Sequence, residues 1–158
     1  MTTSVNTLMV EPHQWFELSL RLGMAVFFGG AIGWNREAAG KAAGLRTHML
    51  VGLGAALFVM VPIQAGSSEE SLSRTIQGIA TGIGFLGAGE IVHYSISSGK
   101  LKVKGLTSAA SIWVTAAMGV LAGCGLWQSS LIATVLTLLI LGVGKYLERF
   151  VPKEKDTP

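Results

Sequence analysis

Between Lys104 and Lys145 the chain carries no aspartate, glutamate, lysine, arginine or histidine. At ~1.5 Å per helical residue that stretch is about 60 Å long, enough for two crossings of a ~30 Å hydrocarbon core. Gly123-Cys124-Gly125 sits near its middle, where a hairpin has to turn. A soluble core hides one such helix, but two in succession leave no polar face for water. Composition points the same way. Apolar residues make up 50% of the chain and charged residues 13%, against about 25% charged in soluble domains. The fold class read from these features is all-α, a polytopic helical membrane protein whose main partner is the lipid bilayer. A net charge of +3 does not suggest nucleic acid. The lone cysteine, Cys124, permits no internal disulfide and reads as a small packing residue.

Five apolar segments emerge, at about 15–34, 47–65, 75–92, 106–123 and 126–147. Trp15, Trp34 and Trp127 fall at their ends, where amphipathic rings favour the membrane interface. The segment 1–14 lacks the positive n-region and small-residue cleavage site of a secretory signal, so the first apolar segment is read as a retained transmembrane helix. Residues 1–150 are read as one transmembrane domain and 151–158 as a short cytoplasmic tail.

Loop charges set the expected orientation. Arg36, Lys41 and Arg46 stand against Glu37 in one loop, and Lys100, Lys102 and Lys104 stand alone in another. The tail adds Arg149, Lys153 and Lys155, with Lys145 just before it. The other side carries Glu69, Glu70 and Arg74 in one loop and no charge in the next. Basic residues stay with the cytoplasm, which places the N-terminus outside and the C-terminus inside.

The helices are rich in small residues. Gly78-x3-Gly82 and Gly119-x3-Gly123 have the spacing that lets helix backbones approach closely in lipid, and Gly84, Gly87 and Gly89 extend the pattern. Packing within one subunit and self-association into a homo-oligomer both fit. A short repeat is also present: Gly44-Leu45 precedes Ala55-Ala56 as Gly105-Leu106 precedes Ala116-Ala117. Both copies open a helix after a basic loop, as parallel repeats do. Gly82-Ile83-Gly84-Phe85-Leu86-Gly87 spells the dinucleotide fingerprint, but it lies inside an apolar helix with no strand before it. Close helix contact explains it better than a cofactor.

Ionisable residues at membrane depth carry the most information, because each costs several kcal/mol unless paired or hydrated. Glu17 and Arg21 lie one turn apart near the outer end of the first helix and can pair, and Arg74 opens the third helix from the outer side. Glu90 has no basic residue within a turn, and His93 follows one turn on, so its partner must come from another segment. Arg36, Arg46, His48 and a bound cation are the candidates. Asn35, Arg36, Glu37, Arg46, Thr47, His48, Thr107 and Ser108 gather near it at the inner helix ends, as a polar cluster or ion pathway. Thr47 and Thr107 suit helix capping. Glu37 and Glu90 offer the hard oxygen ligands that Mg2+ favours, although the nearby arginines oppose a dehydrated cation. No catalytic constellation is present, so the chain is not read as an enzyme.

Gly33-Trp34-Asn35-Arg36-Glu37, Ala43-Gly44-Leu45-Arg46-Thr47-His48, the run from Gly82 to Gly89, and Lys104-Gly105-Leu106-Thr107-Ser108-Ala109-Ala110 occur in that order. In this combination the chain resembles the MgtC/SapB family of bacterial inner-membrane proteins over about residues 20–125. The resemblance implies a five-helix membrane domain linked to magnesium homeostasis, with no bound cofactor and Mg2+ as the ion transported or sensed. Two functions stay open: Mg2+ transport as an oligomer, and regulation by binding another membrane complex such as ATP synthase. Many relatives carry an acid where Asn35 stands and another near the position of Ser71, while Glu90 adds an acid where many are apolar. The soluble C-terminal domain of longer relatives has no expected counterpart here, so its function is not carried over.

Overall fold

The computed structural model describes residues 12–91, 95–97 and 100–147. The tail 151–158, together with His93, Arg149, Lys153 and Lys155, lies outside these described residues. Five helices follow in order: α1 (Pro12–Ala38), α2 (Leu45–Gln64), α3 (Glu69–Ile91), α4 (Leu106–Gly123) and α5 (Trp127–Leu147). A small antiparallel hairpin joins α3 to α4, pairing β1 (Ser95–Ser97) with β2 (Lys100–Lys102) in the register Ser95 to Lys102. The sequence had suggested only a basic loop there.

Among the described residues, four helices are long and apolar enough to cross a membrane, and the chain is a multi-pass membrane protein. α3 is also long enough, at about 35 Å, but its first half is polar. It begins well before the apolar stretch at residue 75. Ser68 Oγ accepts the Ser71 N–H at 3.4 Å, and Glu69 and Glu70 occupy the first turn, where carboxylates favour the helix dipole.

The two copies of the short repeat open α2 and α4 at the same point. Gly44 is the N-cap of α2 and Gly105 that of α4, neither with a side chain to cap the helix. Gly105 needs to be glycine on two counts. Its φ of +96° is left-handed, and a Cβ there would strike the Glu90 carbonyl. Thr47 and Thr107 therefore lie inside their helices and do not cap them, contrary to the sequence expectation. For α2 the capping role falls to Glu37, whose Oε2 accepts the Leu45 N–H at 2.8 Å.

α4 sits at the centre and touches the other four helices. Its neighbours approach to backbone contact where glycine allows it. A Cβ on Gly29 would lie 2.5 Å from the His48 carbonyl oxygen, and one on Gly33 would lie 2.7 Å from Leu45 Cα, which seats α1 on α2. Gly119 of α4 rests against the Gly52 backbone of α2, and Gly123 against Ala56 and Val59.

What fills the interior is small or polar, and what faces out is large and apolar. Phe85 is 85% exposed and Ile140 70%, while His48, Thr115 and Ser130 are wholly buried. Water would reverse that arrangement. Hydrocarbon accepts it, because the apolar side chains meet lipid while the polar ones find partners inside.

Candidate functional site

The polar residues of the interior come from three helices. α1 contributes Arg36 from its last turn, α2 contributes His48 from its first, and α4 presents Ser108, Ser111 and Thr115 along one face. Arg36 is 5% exposed, and its Nη2 donates to Ser108 Oγ at 3.2 Å. Its Nε is buried without an acceptor among the described residues. His48 is held from both sides: Nδ1 lies 2.9 Å from the Gly44 carbonyl oxygen and Nε2 lies 3.1 Å from Ser111 Oγ.

Counting protons constrains this network. A carbonyl can only accept, so His48 Nδ1 carries the hydrogen toward Gly44. Ser111 has one hydroxyl proton and two neighbours that can take it, the Ser108 carbonyl at 2.8 Å and His48 Nε2. A neutral imidazole receives that proton at Nε2; a doubly protonated one leaves it to Ser108. Thr115 Oγ1 continues the chain inward by donating to the Ser111 carbonyl at 2.8 Å.

Glu90 stands half-buried near the end of α3. Among the described residues it forms no ion pair; the pairs present are Glu17 with Arg21 at 3.5 Å and Glu70 with Arg74 at 2.6 Å, the second fully at the surface. Arg21 also donates Nη1 to the Gly123 carbonyl at 3.2 Å, so it binds the C-terminus of α4 as well as Glu17.

The expected inner cluster thus divides. Arg36, His48 and Ser108 come together in the buried network, with Glu90 half-buried beside it. Glu37 is exposed and committed to the α2 amide. Arg46 and Thr107 are exposed, and Asn35 and Thr47 are half-buried. No group of three histidine, cysteine, aspartate or glutamate side chains converges among the described residues. Of the two candidate Mg2+ ligands, Glu37 gives Oε2 to the Leu45 N–H, and Glu90 stands half-buried on α3.

The glycines also divide. Gly87 packs on Ala109, and Gly119 and Gly123 pack on α2, whereas Gly78, Gly82, Gly84 and Gly89 would meet nothing of their own chain within 4 Å. Gly78 and Gly82 instead line a largely apolar 460 Å3 groove between α2 and α3.

Reading the sequence overlooked Ser111, Thr115, Ser130 and Thr134. The first two were legible as helical repeats of Ser108 on the face of α4. Ser130 and Thr134 tie α5 to α4 at Met118: Ser130 Oγ donates to its carbonyl at 3.1 Å, and Thr134 Oγ1, which donates to the Ser130 carbonyl at 2.8 Å, rests 3.0 Å from the Met118 sulfur.

Comparison with known proteins gives the family. The profile of the MgtC family matches residues 22–150. The chain is similar to protein SrpB of Synechococcus elongatus, at 50% identity over 92% of this chain and 84% of SrpB. It is also similar to YhiD of Escherichia coli K12, provisionally named a magnesium transporter, at 42% identity over 80% of this chain and 60% of YhiD. Protein MgtC of Salmonella typhimurium is 38% identical over 82% of this chain and 53% of MgtC. The chain therefore spans between about half and most of the length of these relatives. No solved structure matches it. Both the family profile and the relatives cover the segments that build the buried network, and the chain belongs to the MgtC family.

Proposed function

We propose that the chain is a non-enzymatic protein of magnesium homeostasis in the bacterial inner membrane, acting by binding another membrane component rather than by conducting ions through its own fold. The magnesium link rests on family membership and on the name of its relative YhiD. The basic helix ends, with Arg36, Lys41, Arg46 and Lys104, lie on the cytoplasmic side in this reading.

One observation carries the binding mode. The three helices that hold the polar network meet backbone to backbone, at Gly29 and Gly33 between α1 and α2 and at Gly52 and Gly119 between α2 and α4. Beside that seam, the buried charge among the described residues is the Arg36 guanidinium on Ser108, which repels a divalent cation. A second reading, Mg2+ transport by a homo-oligomer, is favoured by Gly78, Gly82, Gly84 and Gly89, which have open space beside them. There a pathway would run between subunits, past Glu90.

Deleting the gene in its host and growing the cells at limiting Mg2+ tests the magnesium role. Slower growth, restored by the full chain, is expected. Growth equal to the parent strain at every Mg2+ concentration contradicts it.

A further inference from the structure

A cavity of 550 Å3 opens between the end of α1, the start of α4 and the second half of α5. Its volume falls within the roughly 300–1,000 Å3 typical of small-ligand sites. Asn35, Arg36, Lys41 and Thr107 give it a polar wall, and Ile140 and Leu141 give it an apolar one. Among the described residues that line it, two are cations and none is a carboxylate.

Two independent features on the polar wall call for an anion. Arg36 is 95% buried, and its guanidinium, with Nη2 donated to Ser108 Oγ at 3.2 Å, brings a positive charge to this wall. α4 also begins here, behind Gly105, with no side chain capping its first N–H groups. Uncapped helix N-termini bind phosphate through those groups and the helix dipole. The opposite wall has the reverse character, since α5 offers only hydrocarbon and glycine to whatever enters. A free inorganic anion would gain nothing from it.

We infer that this cavity holds the headgroup of an anionic phospholipid. The phosphate lies toward Arg36, Lys41 and the start of α4, and an acyl chain runs along Ile140 and Leu141 of α5. The site lies at the basic end of the helices, which in the proposed orientation meets the cytoplasmic leaflet, where basic pockets between helices recruit lipid headgroups. This goes beyond the magnesium role and stands or falls separately from it.

The test is native mass spectrometry of the full chain purified in detergent. Palmitoyl-oleoyl phosphatidylglycerol and the matching phosphatidylcholine are offered at equal concentration, and inorganic phosphate is offered alone in a parallel thermal-stability assay. The phosphatidylglycerol is expected to be retained at least about fivefold better than the phosphatidylcholine. Lys41→Gln removes an exposed cation and should lower that preference about fivefold, the worth of one basic side chain near an anionic lipid surface. Gly144→Leu, at a position where an added Cβ meets nothing within 4 Å, should fill the apolar side and reduce retention while leaving the melting temperature in place. Equal retention of the two lipids overturns the inference, as does a preference that survives both substitutions. Stabilisation by inorganic phosphate equal to that by phosphatidylglycerol overturns it too, by showing a free-anion site.

Discussion

His48 Nε2 and Ser111 Oγ lie 3.1 Å apart in the interior, joining α2 to α4 through a pair that neither solvent nor lipid reaches. Removing the serine hydroxyl strands a ring nitrogen in an apolar medium. Ser111→Ala should destabilise the protein by about 1–2 kcal/mol, the scale of interhelical hydrogen bonds in membranes. Thermal unfolding in detergent measures this, and Ser73→Ala, on the exposed part of α3, serves as a control expected to change little.

The seam between α2 and α4 predicts a contrast between two glycines that sequence alone treats alike. A Cβ at Gly119 runs into the Gly52 backbone, so Gly119→Ala should cost about 1–3 kcal/mol through forced displacement. Gly82→Ala meets no atom of its own chain and should leave the stability of the monomer unchanged. A loss of self-association in Gly82→Ala, with stability intact, would favour the oligomeric reading of the α3 glycines.

The contrast shows what the sequence made legible. Membrane residence, the helices and their order follow from the uncharged stretch between Lys104 and Lys145 and from the spacing of the loops, because hydrocarbon imposes a length on every span. Arg36, His48 and Ser108 could be singled out as polar groups near one membrane face, since few charges survive at that depth. Which polar groups meet could not be read. It depends on the rotation of each helix about its axis, and that is set by glycine contacts between helices far apart in sequence. Glu37 illustrates the gap. The sequence offers Glu37 as a candidate metal ligand but does not show that Gly44, having no side chain, leaves the α2 N-terminus for Glu37 to cap.

That cap is itself testable. Glu37→Ala should cost about 1 kcal/mol, as losing an N-cap acceptor does. Glu37→Gln keeps an acceptor oxygen and should recover most of the loss. Unfolding with and without millimolar Mg2+ completes the test: a capping carboxylate gives the same difference in both, whereas a Mg2+ ligand gives a difference only with the ion.

Cys124 lies in the turn between α4 and α5, half-buried, and burial pushes its thiol above the ordinary value while the nearby Arg21 cation partly opposes the rise. A raised thiol holds less thiolate at neutral pH, so alkylation by a maleimide should be slower than for a free cysteine, and its pH–rate profile should be displaced upward. Arg21→Gln removes the opposing charge and should displace the profile further in the same direction. A profile shifted below that of free cysteine would contradict the assignment.

The most direct test of a sealed helical seam is ion flux. Full-length protein in liposomes loaded with a Mg2+ indicator should give no Mg2+ entry above empty liposomes, at any pH or membrane potential that leaves the vesicles intact. Mg2+ entry that scales with protein and falls in Glu90→Gln would contradict the account and establish a conduit past that carboxylate.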